Sequence, residues 1–157
     1  MIGPDATLKQ AKDWLRSQIR VGARCPCCTQ YTKVYRRRIY SKMATLLIKL
    51  YRMKTQVYYT TDELVKMSGD INFRGGDFCK LSHWELIETR PNHNDETKKQ
   101  SGLWRITEKG REFAGGKISV KSHVIIYDNR ILGFDGKNVF IKDCFGKHFN
   151  YTELMNN

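Results

Sequence analysis

Cysteine and arginine are the residues here whose spacing could do chemistry. Cys25-Pro26-Cys27-Cys28 carries a C-P-x-C spacing that puts two thiols, Cys25 and Cys28, on one tight turn. A tetrahedral structural zinc needs four ligands, and one such turn supplies two. Two further pairs are on offer, Cys79 with His83 and Cys144 with His148, both spaced C-x3-H. The alternative is a compact turn whose small apolar thiols pack between the first two helices. A redox dithiol is not expected, because no thioredoxin-like βαβ pattern surrounds the cysteines. A structural zinc on Cys25 and Cys28 is therefore the one cofactor to look for.

Arg36-Arg37-Arg38 is the second cluster. Tyr35, Ile39, Met43, Leu46, Leu47 and Leu50 recur at i+4 and i+3 steps, which predicts a helix of roughly five turns with these arginines at its start. Cations at a helix N-terminus oppose the macrodipole, so helix stability does not explain them. Binding an anion does; an ordinary solvated face is the other reading. The charge distribution favours the first. Residues 1–60 hold 13 Lys+Arg against 2 Asp+Glu, a net +11. Residues 61–116 hold 9 against 10, and residues 117–157 hold 6 against 4, so nearly all of the overall +12 lies in the first segment. A polyanionic partner is expected, nucleic acid first.

The elements that must position these residues follow from periodicity. Leu8, Ala11, Trp14, Leu15 and Ile19 predict a first helix with Asp5 or Thr7 as N-cap and Gly22 as a stop, its other face carrying Lys9, Lys12, Arg16 and Arg20. Tyr58-Tyr59 reads as a short strand. Thr60 with Glu63 forms a capping box opening a short helix to Met67, ended by Ser68-Gly69-Asp70. Asp77 is a candidate cap for a third helix through Phe78, Leu81 and Trp84. Leu86-Ile87-Glu88 and Leu103-Trp104-Arg105-Ile106 read as strands on either side of a polar loop, Thr89 to Gln100. Thr107 to Phe113 reads as a helix stopped by Gly115-Gly116. The last segment predicts a three-stranded β-meander, from His123–Tyr127, Arg130–Phe134 and Asn138–Ile141, with Asp135-Gly136 a hairpin signal. Its edge is a candidate surface for a partner or a homodimer. Tyr151 to Met155 reads as a helical turn.

Helix, short helix, helix, strand, polar loop, strand is the order in which a winged helix is assembled. Lys80-Leu81-Ser82-His83-Trp84-Glu85-Leu86-Ile87-Glu88 resembles the third helix of such domains running into the wing, commonly "L-x-x-x-G-L-I". Leu103-Trp104-Arg105-Ile106-Thr107-Glu108-Lys109-Gly110-Arg111-Glu112-Phe113 is similar to their "W/Y-x-L-T-x-x-G-x-x-F" segment. Glu85 departs from the pattern, standing where glycine is common. The resemblance covers about residues 35–116 and implies a helix-turn-helix that binds duplex DNA, with Lys80, Ser82 and His83 on base edges and Arg74 at the approach. It also implies a wing on the backbone or minor groove through Arg90, His93, Asn94, Lys98 and Lys99. The cysteine turn is similar to a zinc-ribbon knuckle, with Thr29 in place of the usual glycine. The chain also resembles small phage and prophage proteins with a Cys-Pro-Cys-Cys turn before an arginine-rich helix, which bring no activity with them.

These readings give an α+β fold in three segments forming one compact unit. They are a basic helix and cysteine turn over 1–34, a winged helix over 35–116 and a β-meander extension over 117–157. The winged part is nearly neutral, so phosphate contacts would have to come from Arg16, Arg20, Arg24, Lys33, Arg36, Arg37, Arg38 and Lys42. The function expected is a non-enzymatic DNA-binding regulator of phage type. Its rival is a phage-type inhibitor or adaptor that grips a host protein or nucleoprotein complex. No phosphate-binding glycine loop or nucleophile elbow is present, and His93-Asn94, similar to a fragment of an HNH nuclease motif, has no converging acid, base and metal set. No apolar run reaches the ~18 residues of a membrane span. Met-Ile-Gly-Pro-Asp lacks a signal-peptide pattern, which sets a cytoplasmic expectation, the host cytoplasm for a viral protein.

Overall fold

Local capping chemistry sets several helix boundaries in the computed structural model, which describes residues 2–53, 56–69, 73, 75–91 and 102–145. Helix α1 (Leu8–Gln18) begins at Thr7, whose hydroxyl accepts from the Gln10 amide while the Gln10 side chain accepts from the Thr7 N–H. Two short strands, β1 (Ala23–Arg24) and β2 (Tyr31–Thr32), pair antiparallel with Arg24 opposite Tyr31 and flank the cysteine turn.

The long helix predicted from Tyr35 is corrected. Tyr35–Arg38 forms strand β3, with all four residues exposed, and helix α2 (Ser41–Met53) starts only after it. Tyr35 and Ile39 extend the helical spacing by coincidence of phase. Four residues are too few for a period to contradict pairing, and β3 pairs beside β7 (Val120–Tyr127). The macrodipole argument therefore does not apply to Arg36, Arg37 and Arg38. Helix α2 buries Met43, Ala44, Leu46, Leu47, Ile48 and Leu50, an apolar surface wrapping most of its circumference.

Strand β4 (Tyr59–Thr60) leads directly into α3 (Thr61–Ser68), whose capping box uses Thr60 and Glu63 as expected. Gly69 at φ +69° ends α3 in the left-handed conformation, and Lys49 Nζ donates to the Met67 and Ser68 carbonyls at 2.9 and 3.1 Å. Lys49 thus serves the C-terminal end of a helix, where cations are favoured. The third predicted helix is two pieces, α4 (Gly75–Cys79) and a 3-10 turn, Lys80–Trp84. Asp77 lies inside α4 and does not cap it. Its carboxylate accepts from the Tyr40 hydroxyl at 2.9 Å and from Lys80 Nζ at 2.9 Å, which leaves it engaged with side chains.

Strands β5 (Ile87–Thr89) and β6 (Leu103–Ile106) pair antiparallel, and β4 joins the other edge of β6, giving the order β4-β6-β5. Helix α5 (Glu108–Ala114) follows, capped by Thr107. The predicted three-stranded meander is a two-stranded hairpin, β7 with β8 (Arg130–Val139), and its third neighbour in the sheet is β3. Asp128 and Asn129, both at positive φ, make its two-residue turn, as a primed hairpin turn requires. Asp135-Gly136 lies within β8; Gly136 at φ +81° is a kink in a strand, not a hairpin end. The helical turn read at Tyr151 to Met155 lies outside the described residues.

The chain forms two compact units, Met1–Arg37 with His123–Asp135, and Arg38–Ser122 with Gly136–Asn157. In the second, α2 is the central element, touching α3, α4, α5, β6 and the 3-10 turn Ile141–Cys144. Among the described residues no helix is long and apolar enough to cross a membrane.

Gly110 shows how tightly this unit is packed. A Cβ there would collide with the Leu86 carbonyl and the Ile106 side chain, whereas a Cβ at Gly76 in α4 meets nothing within 4 Å. Alanine favours both helices by about 1 kcal/mol in propensity. Gly110→Ala is nonetheless expected to destabilise by about 2 kcal/mol or more, while Gly76→Ala is neutral to stabilising. Paired urea melts read the difference.

Candidate nucleic-acid interface

Because successive residues of a strand point to opposite faces, the arginines of β3 separate. Tyr35 and Arg37 fall on one face, and the Arg37 guanidinium lies 4.8 Å from the Tyr35 ring centroid. Arg36, on the other face, pairs through Nε with Asp135 Oδ2 at 2.7 Å, both side chains about half exposed. An ion pair this exposed contributes at most about 1 kcal/mol and is exchangeable for another anion. Arg38 is also exposed.

Two grooves of the first unit gather further expected residues. Arg16 and Arg20 line one of about 520 Å³ with Ile19, Val34, Leu132 and Phe134; Asp135 also borders it. Arg16 is shared with Asp13 at 3.6 Å in an exposed i,i+3 pair. Lys33 lines the other groove, about 340 Å³, together with Tyr31, Tyr35 and Tyr127. Sequence reasoning passed over these tyrosines, although Tyr31, Lys33, Tyr35 and Arg37 already alternate at every second position.

The cysteine turn holds a defined shape. Cys25 N–H donates to the Gln30 carbonyl (2.8 Å), Thr29 N–H donates to the Cys25 carbonyl (2.9 Å), and Arg24 Nη1 donates to the Thr29 carbonyl (3.1 Å). Thr29 sits at φ +63°, the conformation for which a glycine would be the unstrained choice. Hydrogen bonds from the Cys28 amide, then from the Cys27 amide, hold the Cys25 thiol below its ordinary value. Among the described residues no three His, Cys, Asp or Glu side chains gather as a metal site. Cys79 and His83 lie on α4 and the 3-10 turn, and His148, the expected companion of Cys144, lies outside the described residues.

The expected base-reading residues lie in the second unit. Lys80 is held by Asp77, and Ser82 and His83 are half-buried. Burial, then the nearby Lys80 charge, holds His83 below its usual value. Tyr40, which also holds Asp77, is raised to about 12 by burial and then by that hydrogen bond. Lys42 and Arg90 are exposed, on α2 and just after β5. Arg74, His93, Asn94, Lys98 and Lys99 lie outside the described residues. Comparison of the chain with protein-family models, curated proteins and solved structures finds no match.

Two chemical tests follow from these environments. Burial raises Cys79 and pushes Cys144 up to about 12. Iodoacetamide at pH 7.5 is therefore expected to modify Cys25 at least about tenfold faster than Cys144, with Cys79 also slow, read by peptide mass spectrometry. For His83 the folded value lies below the unfolded one, so the unfolded chain binds the extra proton first. Its contribution is intact above pH about 6.5 and is lost as pH falls below that, through the lowered folded value. His83→Gln is expected to flatten that part of a plot of Tm against pH.

Proposed function

We propose that the chain is a non-enzymatic nucleic-acid-binding protein in which the first unit supplies phosphate contacts and the second is a winged helix. The observation that carries the reading is β3, where Arg36 and Arg37 stand exposed in the same unit as grooves lined by Arg16, Arg20 and Lys33. Guanidinium groups on an open surface neutralise phosphates, which supplies most non-specific affinity. For the winged helix, the support is the order α2-β4-α3-α4-β5-β6 with β4 paired to β6, and Glu85 at φ +61° where such domains commonly carry glycine. Duplex DNA is the favoured target, and a phage-type regulator in the cytoplasm is the favoured role. A structural zinc belongs to the same proposal, with Cys25 and Cys28 as two ligands and the rest from outside the turn.

One observation favours the second reading, an inhibitor or adaptor gripping a host protein or nucleoprotein complex, or a second copy. Leu132 and Phe134 of β8, two positions apart, are 56% and 45% exposed and line the same groove, an apolar surface that a protein partner would cover.

Salt dependence separates the two. Binding to a random duplex is expected to weaken steeply with salt, and Arg36→Ala, Arg37→Ala and Arg38→Ala together are expected to lower the log–log slope by about 2 to 3. Unchanged affinity and slope in the triple variant overturn the phosphate reading. Absence of nucleic-acid binding at moderate salt, with a host protein recovered by a pull-down that Leu132→Ser and Phe134→Ser abolish, favours the protein-partner reading instead.

A further inference from the structure

We propose that the groove between the cysteine hairpin and the β7–β8 turn binds unpaired nucleobases, so that the basic unit takes single-stranded segments. This rests on the nucleic-acid reading above and departs from its duplex preference by giving unpaired strands to the first unit. Tyr31, Tyr35 and Tyr127 line one cavity of about 340 Å³ with Lys33, Ile126 and Asn129. Tyr31 and Tyr35 are 51% and 44% exposed, among the more exposed large apolar side chains of the described chain. A solvated tyrosine gains little by ordering, yet both rings are positioned. Tyr31 lies with its hydroxyl over Gly22, at φ +103°, where any Cβ would collide with it. The Arg37 guanidinium lies over one face of the Tyr35 ring, which is still 44% exposed. The result is a set of aromatic faces held on a paired backbone, with cations at Lys33 and Arg37.

Duplex DNA has no use for such a groove, because its bases are stacked on one another and present only their edges. An unpaired base brings a free π-face, and its backbone brings phosphates to the adjacent cations. That combination of aromatic platform and basic track is what single-strand binding requires, and it tolerates any base sequence. The acid in the groove lining, Asp128, lies in the β7–β8 turn and favours the neutral base over the phosphate at that end. Deoxyribose and ribose strands share this chemistry, so the test carries both.

The experiment measures anisotropy of labelled 12-mer DNA, 12-mer RNA, the DNA duplex, and an abasic 12-mer with the same phosphates and no bases. The expected result is that the native protein prefers base-containing single strands to the abasic strand by about tenfold or more. Tyr31→Leu and Tyr35→Leu are each expected to remove most of that preference without changing the salt slope, while Tyr31→Phe and Tyr35→Phe keep it. Thermal melts confirm folding, and Tyr127→Leu serves as the independent variant should Tyr31→Leu disturb the hairpin. Equal binding of abasic and base-containing strands, or leucine variants that discriminate as the native chain does, overturns the inference. A protein that binds duplex and not single strands overturns it too and leaves the phosphate reading standing. One that binds no nucleic acid overturns both.

Discussion

Burial of α2 is the constraint on which the second unit depends. Six of its residues are buried, and Leu46, Leu47 and Ile48 are completely so, hence neighbours are needed around more than half of its circumference. Helices α3, α4 and α5 and strand β6 meet that demand. Full burial of each large aliphatic side chain stabilises by about 1.5 to 3 kcal/mol, far more than any surface pair in the molecule. The close approach of α5 to the Leu86 carbonyl at Gly110 belongs to the same packing, and so does Lys49, whose ammonium is drawn from the surface to the end of α3. A lysine counted in the +11 segment thus holds the end of a helix.

That shift applies to the charge as a whole. Grouped by structural unit, the first holds nine Lys+Arg against four Asp+Glu, a net of +5, and the second nineteen against twelve, a net of +7. The +11 segment is not one body, since Arg38, Lys42, Lys49, Arg52 and Lys54 belong with the second unit. What distinguishes the first unit is arrangement. Its cations alternate with tyrosines along a short stretch and border two grooves, whereas in the second Lys80 and Lys49 are tied to internal partners.

Legibility in the sequence follows the range of the interaction. Thr7 with Gln10, Thr60 with Glu63, and Thr107 with Gly110 are caps closed within three residues, and the first residues of their helices were readable accordingly. Strand β6 was readable because Leu103 to Ile106 alternates against a half-buried sheet. Tyr35–Arg38 was not, since its conformation is set by pairing with a strand more than eighty residues away, and its spacing happens to continue that of α2. Asp135-Gly136 misled for a related reason: Asp128-Asn129 already closes the hairpin, and glycine then serves a kink. The arginine and lysine candidates were found by charge alone; the grooves that group them were not, because they need α1, the cysteine hairpin and β7–β8 brought together.

The change of β3 from helix to strand alters what its arginines can do. On a helix, three consecutive arginines spread over about 100° steps and only one or two can face a given phosphate backbone. On a strand they rise ~3.3 Å apart and divide cleanly between two faces. One face then holds Arg36 with Asp135, a pair that an incoming phosphate can displace. The other holds Arg37 on Tyr35, a cation already fixed over an aromatic surface. An exchangeable ion pair and an aromatic–cation pair thus lie on opposite faces of one four-residue strand, and pairing that strand into the sheet positions both.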